Sequence, residues 1–204
     1  GVASCEINGG ALDAGRLEIS GMDLVFPSTA KMISLPGNAV CRGRQIPVED
    51  IPVDGYMTAY VGIRVEKPGR PNVTVAEDAA QMEAAPTRMA VPVEPENVPD
   101  SYSDGPPAQV RFMSYVLNLI FEPELDQAGD MDLIPVARLT REGDRISADP
   151  AFVPPCLTMA ASGVLSSMLR EIRDRVLGKS GQLEGYKNLS AKGAESGDFM
   201  LLLM

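Results

Sequence analysis

In "EPELDQAGDMD", which opens at Glu122 and closes at Asp132, Glu124, Asp126, Asp130 and Asp132 form a cluster of carboxylates. Acidic side chains at short spacing are the raw material of a calcium loop or of a glycosidase acid pair. A calcium loop needs a glycine at its turn position, and Gly129 falls out of that register. No two of the carboxylates are singled out as a glycosidase pair, and the chain has no Trp to stack on a sugar ring. The stretch therefore reads as an acidic surface loop. Arg64, Lys67 and Arg70 gather in "YVGIRVEKPGRPN", which reads as the solvated end of a hairpin rather than an anion site. Histidine is absent, which removes Ser-His and Cys-His nucleophile pairs and the commonest metal ligand. Cys5, Cys41 and Cys156 are far apart and odd in number; they match no zinc spacing and read as small buried thiols, reduced, in a cytosolic protein. No glycine-rich phosphate loop follows a strand. The expectation is no catalytic residue, no metal site and no cofactor.

The charge is uneven. Of a formal net charge of -10, residues 164–204 contribute +1 and the first 163 contribute -11. So acidic a body repels phosphate backbones, which argues against nucleic acid and anionic membrane surfaces as partners. With 204 residues and 45% hydrophobic content the chain can bury a real core. No apolar run approaches the roughly 20 residues of a membrane span, so no direct membrane insertion is expected. A start at Gly1 and an apolar finish, "DFMLLLM", read as cut ends, the latter as the opening of a further helix near Asp198.

These residues must be positioned by short strands. "SCEING" reads as a strand entering a glycine-rich turn. "GRLEIS", "GMDLVFPS" and "KMISLPG" follow as further strands, punctuated at Gly15 and Gly21. In "GYMTAYVGIRVEKPG", Met57, Ala59, Val61, Ile63 and Val65 alternate with more polar residues, the two-residue period of a strand with one buried face. "TRMAVPV" and "AQVRFMSYVLNLIFEPE" continue the pattern, the second being long enough for a helix as well. "LIPVARLTREGDRIS" reads as a hairpin turning at "REGD". Glu94 to Pro107 holds four prolines, four acids and no basic residue; a solvated loop is the expectation, with a partner-binding arm as the alternative. The fold class is mainly β, a β-sandwich. At Pro154 and Pro155 the pattern changes. Val164, Leu165, Met168, Leu169, Ile172 and Val176 then fall on one helical face, with Ser162 placed to cap the start and Gly178, Gly181 and Gly185 diluting a weaker stripe beyond. The paired prolines read as a rigid joint between a β domain over 1–160 and a helical segment over 161–204.

The stretches "EISGMDLVFPSTAKMISLPGNA", "YVGIRVEKPGRPNV", "VPDSYSDGPPAQVRFMSYVLNLIF" and "LIPVARLTREGDRISADPAFVPPCLTMAAS", in that order, resemble the TssK (ImpJ/VasE) family of type VI secretion baseplate subunits. The most specific piece comprises Ala137, Arg138 and Leu139, then Asp149, Pro150, Phe152, Val153, Pro154, Pro155, Cys156 and Leu157, closing with Ala161 and Ser162. "SGDFMLLLM" is similar to the family's later "ADFWLLHALN". The resemblance implies a shell domain similar to the shoulder of phage receptor-binding proteins, followed by the start of a helical neck. It also implies a homotrimer, docking of the shell on the TssF and TssG wedge proteins, and a bacterial cytoplasmic location at the inner-membrane-docked baseplate. Contact with the membrane complex would belong to a C-terminal head that these residues do not include. The neck-helix residues Val164, Leu165, Met168, Leu169, Ile172 and Val176 would form the oligomer interface. Against this structural adaptor stand a carbohydrate- or receptor-binding β-sandwich, which the phage similarity allows, and a hydrolase, which the missing histidine and motifs disfavour.

Overall fold

The computed structural model describes residues 1–28, 30–102, 105–143 and 145–190, with side chains through 184. In chain order its strands are β1 (Val2–Ile7), β2 (Arg16–Leu17), β3 (Ile19–Val25), β4 (Met32–Leu35), β5 (Ala39–Cys41), β6 (Arg44–Gln45), β7 (Tyr56–Arg64), β8 (Val73–Ala76), β9 (Met89–Pro92), β10 (Glu96–Val98), β11 (Ala108–Val110), β12 (Ser114–Phe121), β13 (Met131–Glu142) and β14 (Arg145–Ala148). Helix α1 (Gly9–Asp13) follows β1, α2 (Ala79–Glu83) precedes β9, and α3 (Gly163–Ser190) follows the strands.

The alternation along β7 decides the core. Met57, Ala59, Val61 and Ile63 are at most 2% exposed, and they share a face because successive strand side chains point to opposite sides. Val65 lies past the strand and is exposed. β7 sits between β12 and β13 in a seven-stranded sheet ordered β14-β13-β7-β12-β9-β8, with β5 joining β12 in parallel. A smaller sheet, β1-β3-β4, contributes Val2, Met22, Leu24 and Ile33 to the same hydrophobic cluster as β7 and the inward residues of β12 and β13. Two sheets burying one core between them make the expected β-sandwich. Each fully buried Leu, Ile or Phe contributes about 1.5–3 kcal/mol. On the far face of the large sheet, Met82 of α2 packs on a second small cluster of Ala85, Ala90 and Val116.

Several local expectations change. The glycines after β1 enter a helical turn, because the Asn8 side chain accepts from Ala11 N–H and caps it. β3 continues past Gly21, which pairs with Glu6 beside a register shift. β7 does not form a hairpin with the chain that follows it: β8 pairs in parallel with β9, so the basic turn belongs to a crossover. "AQVRFMSYVLNLIFEPE" is neither one strand nor a helix. It breaks at Arg111–Met113 into β11 and β12, and Glu122–Gln127 is a 3-10 turn. The acidic loop expected between Glu94 and Pro107 contains β10, which pairs antiparallel with β11 through Glu96–Val110, Asn97–Gln109 and Val98–Ala108. Three rungs bracketed by prolines are too short to show as alternation. The β13–β14 hairpin forms as expected, with Gly143 at φ 62° in its turn.

The described residues fall into two compact units, Gly1–Ser162 and a second beginning at Gly163. Within the second, α3 is 28 residues long and continues through Gly178, Gly181 and Gly185. The apolar end near Asp198 lies outside the described residues.

Candidate interaction surface

After β14 the chain turns at Asp149, whose carboxylate accepts from Ala151 N–H at 2.8 Å and whose carbonyl accepts from Phe152 N–H at 3.1 Å. The Asp-Pro dipeptide favours such a turn. Arg138 grips this turn. Its guanidinium lies 3.9 Å from the Tyr56 ring centroid, 5.3 Å from that of Phe152, and 3.6 Å from the Asp149 carboxylate. Its backbone carbonyl also accepts from Asp149 N–H at 2.7 Å. Spacing along the chain could not reveal this cluster, since Tyr56 comes from another strand. Asp149-Pro150 as a turn was the one visible signal.

Past Phe152 the paired prolines run extended. Pro154 is buried and Pro155 is exposed. Having no N–H to give, Pro155 offers its carbonyl, which accepts from Val2 N–H at 2.7 Å, and Leu157 N–H donates to Val2 O at 2.7 Å. The segment thus lies along β1 as a parallel bridge between Val2 and Cys156. The prolines do not end a strand, since β14 closes at Ala148, six residues earlier. A 3-10 turn at Met159–Ala161 follows. Ser162 then precedes α3 in extended conformation and is 5% exposed, the backbone state of a capping residue.

On α3, Val164 and Leu165 are half-buried, whereas Met168, Leu169, Ile172 and Val176 are 46–61% exposed. Leu177 and Leu183 are exposed as well. The expected stripe is therefore largely open to solvent in the single chain. Local ion pairs, Arg175 with Glu171 and Arg173 with Asp174, decorate other positions.

The acidic stretch serves the fold. Glu124 forms a two-pronged pair with Arg44 at 2.7 and 2.8 Å, and Arg44 stacks 5.1 Å over Phe121. The hydrogen bond from Arg44, opposed by burial, holds the Glu124 carboxyl below the usual carboxylate range. Glu122 accepts from Thr58 N–H, Asp132 from Ser28 N–H, and Asp130 from both Arg64 and Lys67. Arg64 and Lys67 thus meet one carboxylate rather than an external anion. Asp130 is likewise held low, chiefly by the hydrogen bond from Lys67. Among the described residues no three His, Cys, Asp or Glu side chains converge as a metal set. Cys5 and Cys41 are half-buried free thiols; burial first, then neighbouring negative charge, pushes them up to about 11 and about 12.

A family model described as "Bacterial Type VI secretion, VC_A0110, EvfL, ImpJ, VasE" matches residues 1–204. The chain belongs to this family. Three solved structures share the VasE-family chain's fold. One is a type VI secretion TssK-TssF-TssG baseplate subcomplex seen by cryo-electron microscopy, 20% identical, covering 91% of this chain and 58% of that one, with a TM-score of 0.71. A crystal structure of TssK is 17% identical over 91% of this chain and 40% of that one, with a TM-score of 0.70. A baseplate complex from the type VI secretion system is 19% identical over 97% and 42%, with a TM-score of 0.73. The VasE-family sequence thus spans between two-fifths and three-fifths of these chains. No curated protein matches it. Among its described residues no helix is long and apolar enough to cross a membrane.

Proposed function

We propose that this chain is a non-catalytic structural adaptor of the type VI secretion baseplate, with a shell over residues 1–160 and the start of a neck over 161–204. The family match across residues 1–204 carries the reading. The fold it shares with chains solved within TssK-TssF-TssG and baseplate assemblies supports docking of the shell on TssF and TssG. The exposed apolar side chains of Met168, Leu169, Ile172 and Val176 support a homotrimer joined through the neck helix, with Val164 and Leu165 at its base. Pro154 and Pro155 act in this reading as the rigid joint, since both fix φ and the segment is bonded to β1. Contact with the membrane complex is assigned to a head domain outside these residues, and the location to the cytoplasmic side of the inner membrane. Co-expression of the tagged chain with TssF and TssG tests the docking. Stoichiometric co-purification is expected; recovery of the chain alone at matched expression overturns it.

A further inference from the structure

β8 is the last strand of the large sheet and, among the described residues, pairs with β9 alone. The carbonyls of Asn72 and Ala76 accept from Met89 and Val93 N–H at 3.0 and 2.8 Å, on the β9 side. Backbone groups alternate in direction along a strand, so the N–H and C=O of Val73 and Val75 point away from β9. Their side chains share one face and are 39% and 56% exposed. The available edge stops after Val75, because Glu77 N–H is already held by Gln81 at 3.1 Å.

Several other edges of the sandwich are closed. Val2 of β1 is bonded to Pro155 and Leu157. On β4, the Asn38 side chain accepts from Ser34 N–H and donates to Met32 O. Where β12 runs past β5, Arg44 donates to Leu119 O at 2.7 Å and Glu124 accepts from Phe121 N–H at 3.0 Å. The first half of β13 carries Pro135 and a bulge. These are the devices that keep edges from pairing with other chains. The four residues of β8, Val-Thr-Val-Ala, carry no charge and no proline.

We propose that the β8 edge is a docking site for an extended segment of another protein, added antiparallel to β8 as a further strand. The edge specifies the chemistry of that segment. Backbone groups of Val73 and Val75 require an extended chain, and their side chains suit β-branched residues two apart. Exposed Arg70 lies before the strand and exposed Glu77 after it. An antiparallel segment therefore fits when it is basic at its start and acidic at its end. The proposal stands or falls independently of docking on TssF and TssG.

The test uses the 204-residue chain and a capped peptide, RPNVTVAED, the sequence of residues 70–78, which has the required order of charges and alternating valines. Saturable shifts of the Val73 and Val75 amide resonances are expected, with hydrogen exchange at both slowed about tenfold and β13 amides unmoved. A peptide with its terminal charges exchanged is expected to bind about tenfold more weakly. Val75→Lys is expected to abolish the shifts; its position is exposed, and unchanged β9 resonances confirm that the fold persists. No shift at about 1 mM peptide, which marks binding too weak to matter, overturns the proposal. So does equal binding by Val75→Lys. Protection of these amides that rises with chain concentration alone overturns the assignment to another protein and gives the edge to a second copy.

Discussion

Arg44 and Glu124 satisfy backbone groups that a missing strand would otherwise take, and they do it with opposite charges. Because Glu124 and Asp130 are held below their usual range, the folded state binds protons less readily than the unfolded chain. Their stabilisation is present above the unfolded values of about 4.3 and 3.9 and is lost as pH falls through the folded ones. The melting temperature is therefore expected to be flat above about pH 5 and to drop below about pH 4. Glu124→Gln should lower stability near neutrality by about 1 kcal/mol, the pair being one-third exposed and so partly screened. The gap should close in acid, and denaturant melts at pH 7 and pH 3 would show it. At the same scale, thiols pushed up to about 11 and about 12 hold little thiolate at pH 8. Cys5 and Cys41 should react with iodoacetamide about a hundredfold more slowly than a free thiol, measured by mass spectrometry of the native chain; rates matching free cysteine would contradict their burial.

At the scale of elements, the passage from β14 to α3 depends on one side chain from β13. Arg138 joins Tyr56 of β7 to Phe152 and Asp149 through ring contacts and an ion pair. Arg138→Ala should cost about 1–2 kcal/mol, combining lost stacking with a weak, partly exposed pair. The loss should be localised. Amide exchange is expected to speed up at Phe152, Leu157 and Val2, whose bonds fix the proline segment, while Leu119 and Val61 in the sheet centre stay protected. Uniform acceleration would mean that Arg138 supports the whole sandwich instead. The β10–β11 ribbon sits at the other extreme, since a two-stranded ribbon is marginal by itself and its residues are mostly exposed.

For the whole molecule, the exposed apolar side chains of α3 call for a partner surface. At 28 residues the helix is about 42 Å long, and apolar side chains exposed along it favour association. A closed ring of identical helices covers every copy equally. In the proposed trimer, Leu169→Asp places a charge in the helix interface and should remove several kcal/mol per site. In a chain extended to include the whole neck, light scattering is expected to show a trimer that the substitution dissociates, with the β-sheet circular dichroism unchanged. A monomer before mutation, or a trimer after it, would falsify the neck interface.

Where apolar residues share one face, the pattern was legible along the chain. Met57 to Ile63 read as a strand because period two is local geometry, and Val164 to Val176 read as a helix because its period is local too. The family was equally legible, carried by the ordered segments from Glu18 to Ser162. Absence of histidine removed whole classes of chemistry before any fold was known. Very short elements were not legible: β10, β8 and α2 are stabilised by partners distant in sequence or by a single cap such as Asp78. Nor was the work of the acids. Glu124, Asp126, Asp130 and Asp132 looked like one cluster, yet Glu124, Asp130 and Asp132 each reach a partner that only the packing of the strands brings near. Tertiary structure alone decides which edges are closed, because a strand's unpaired backbone groups carry no mark in its side chains.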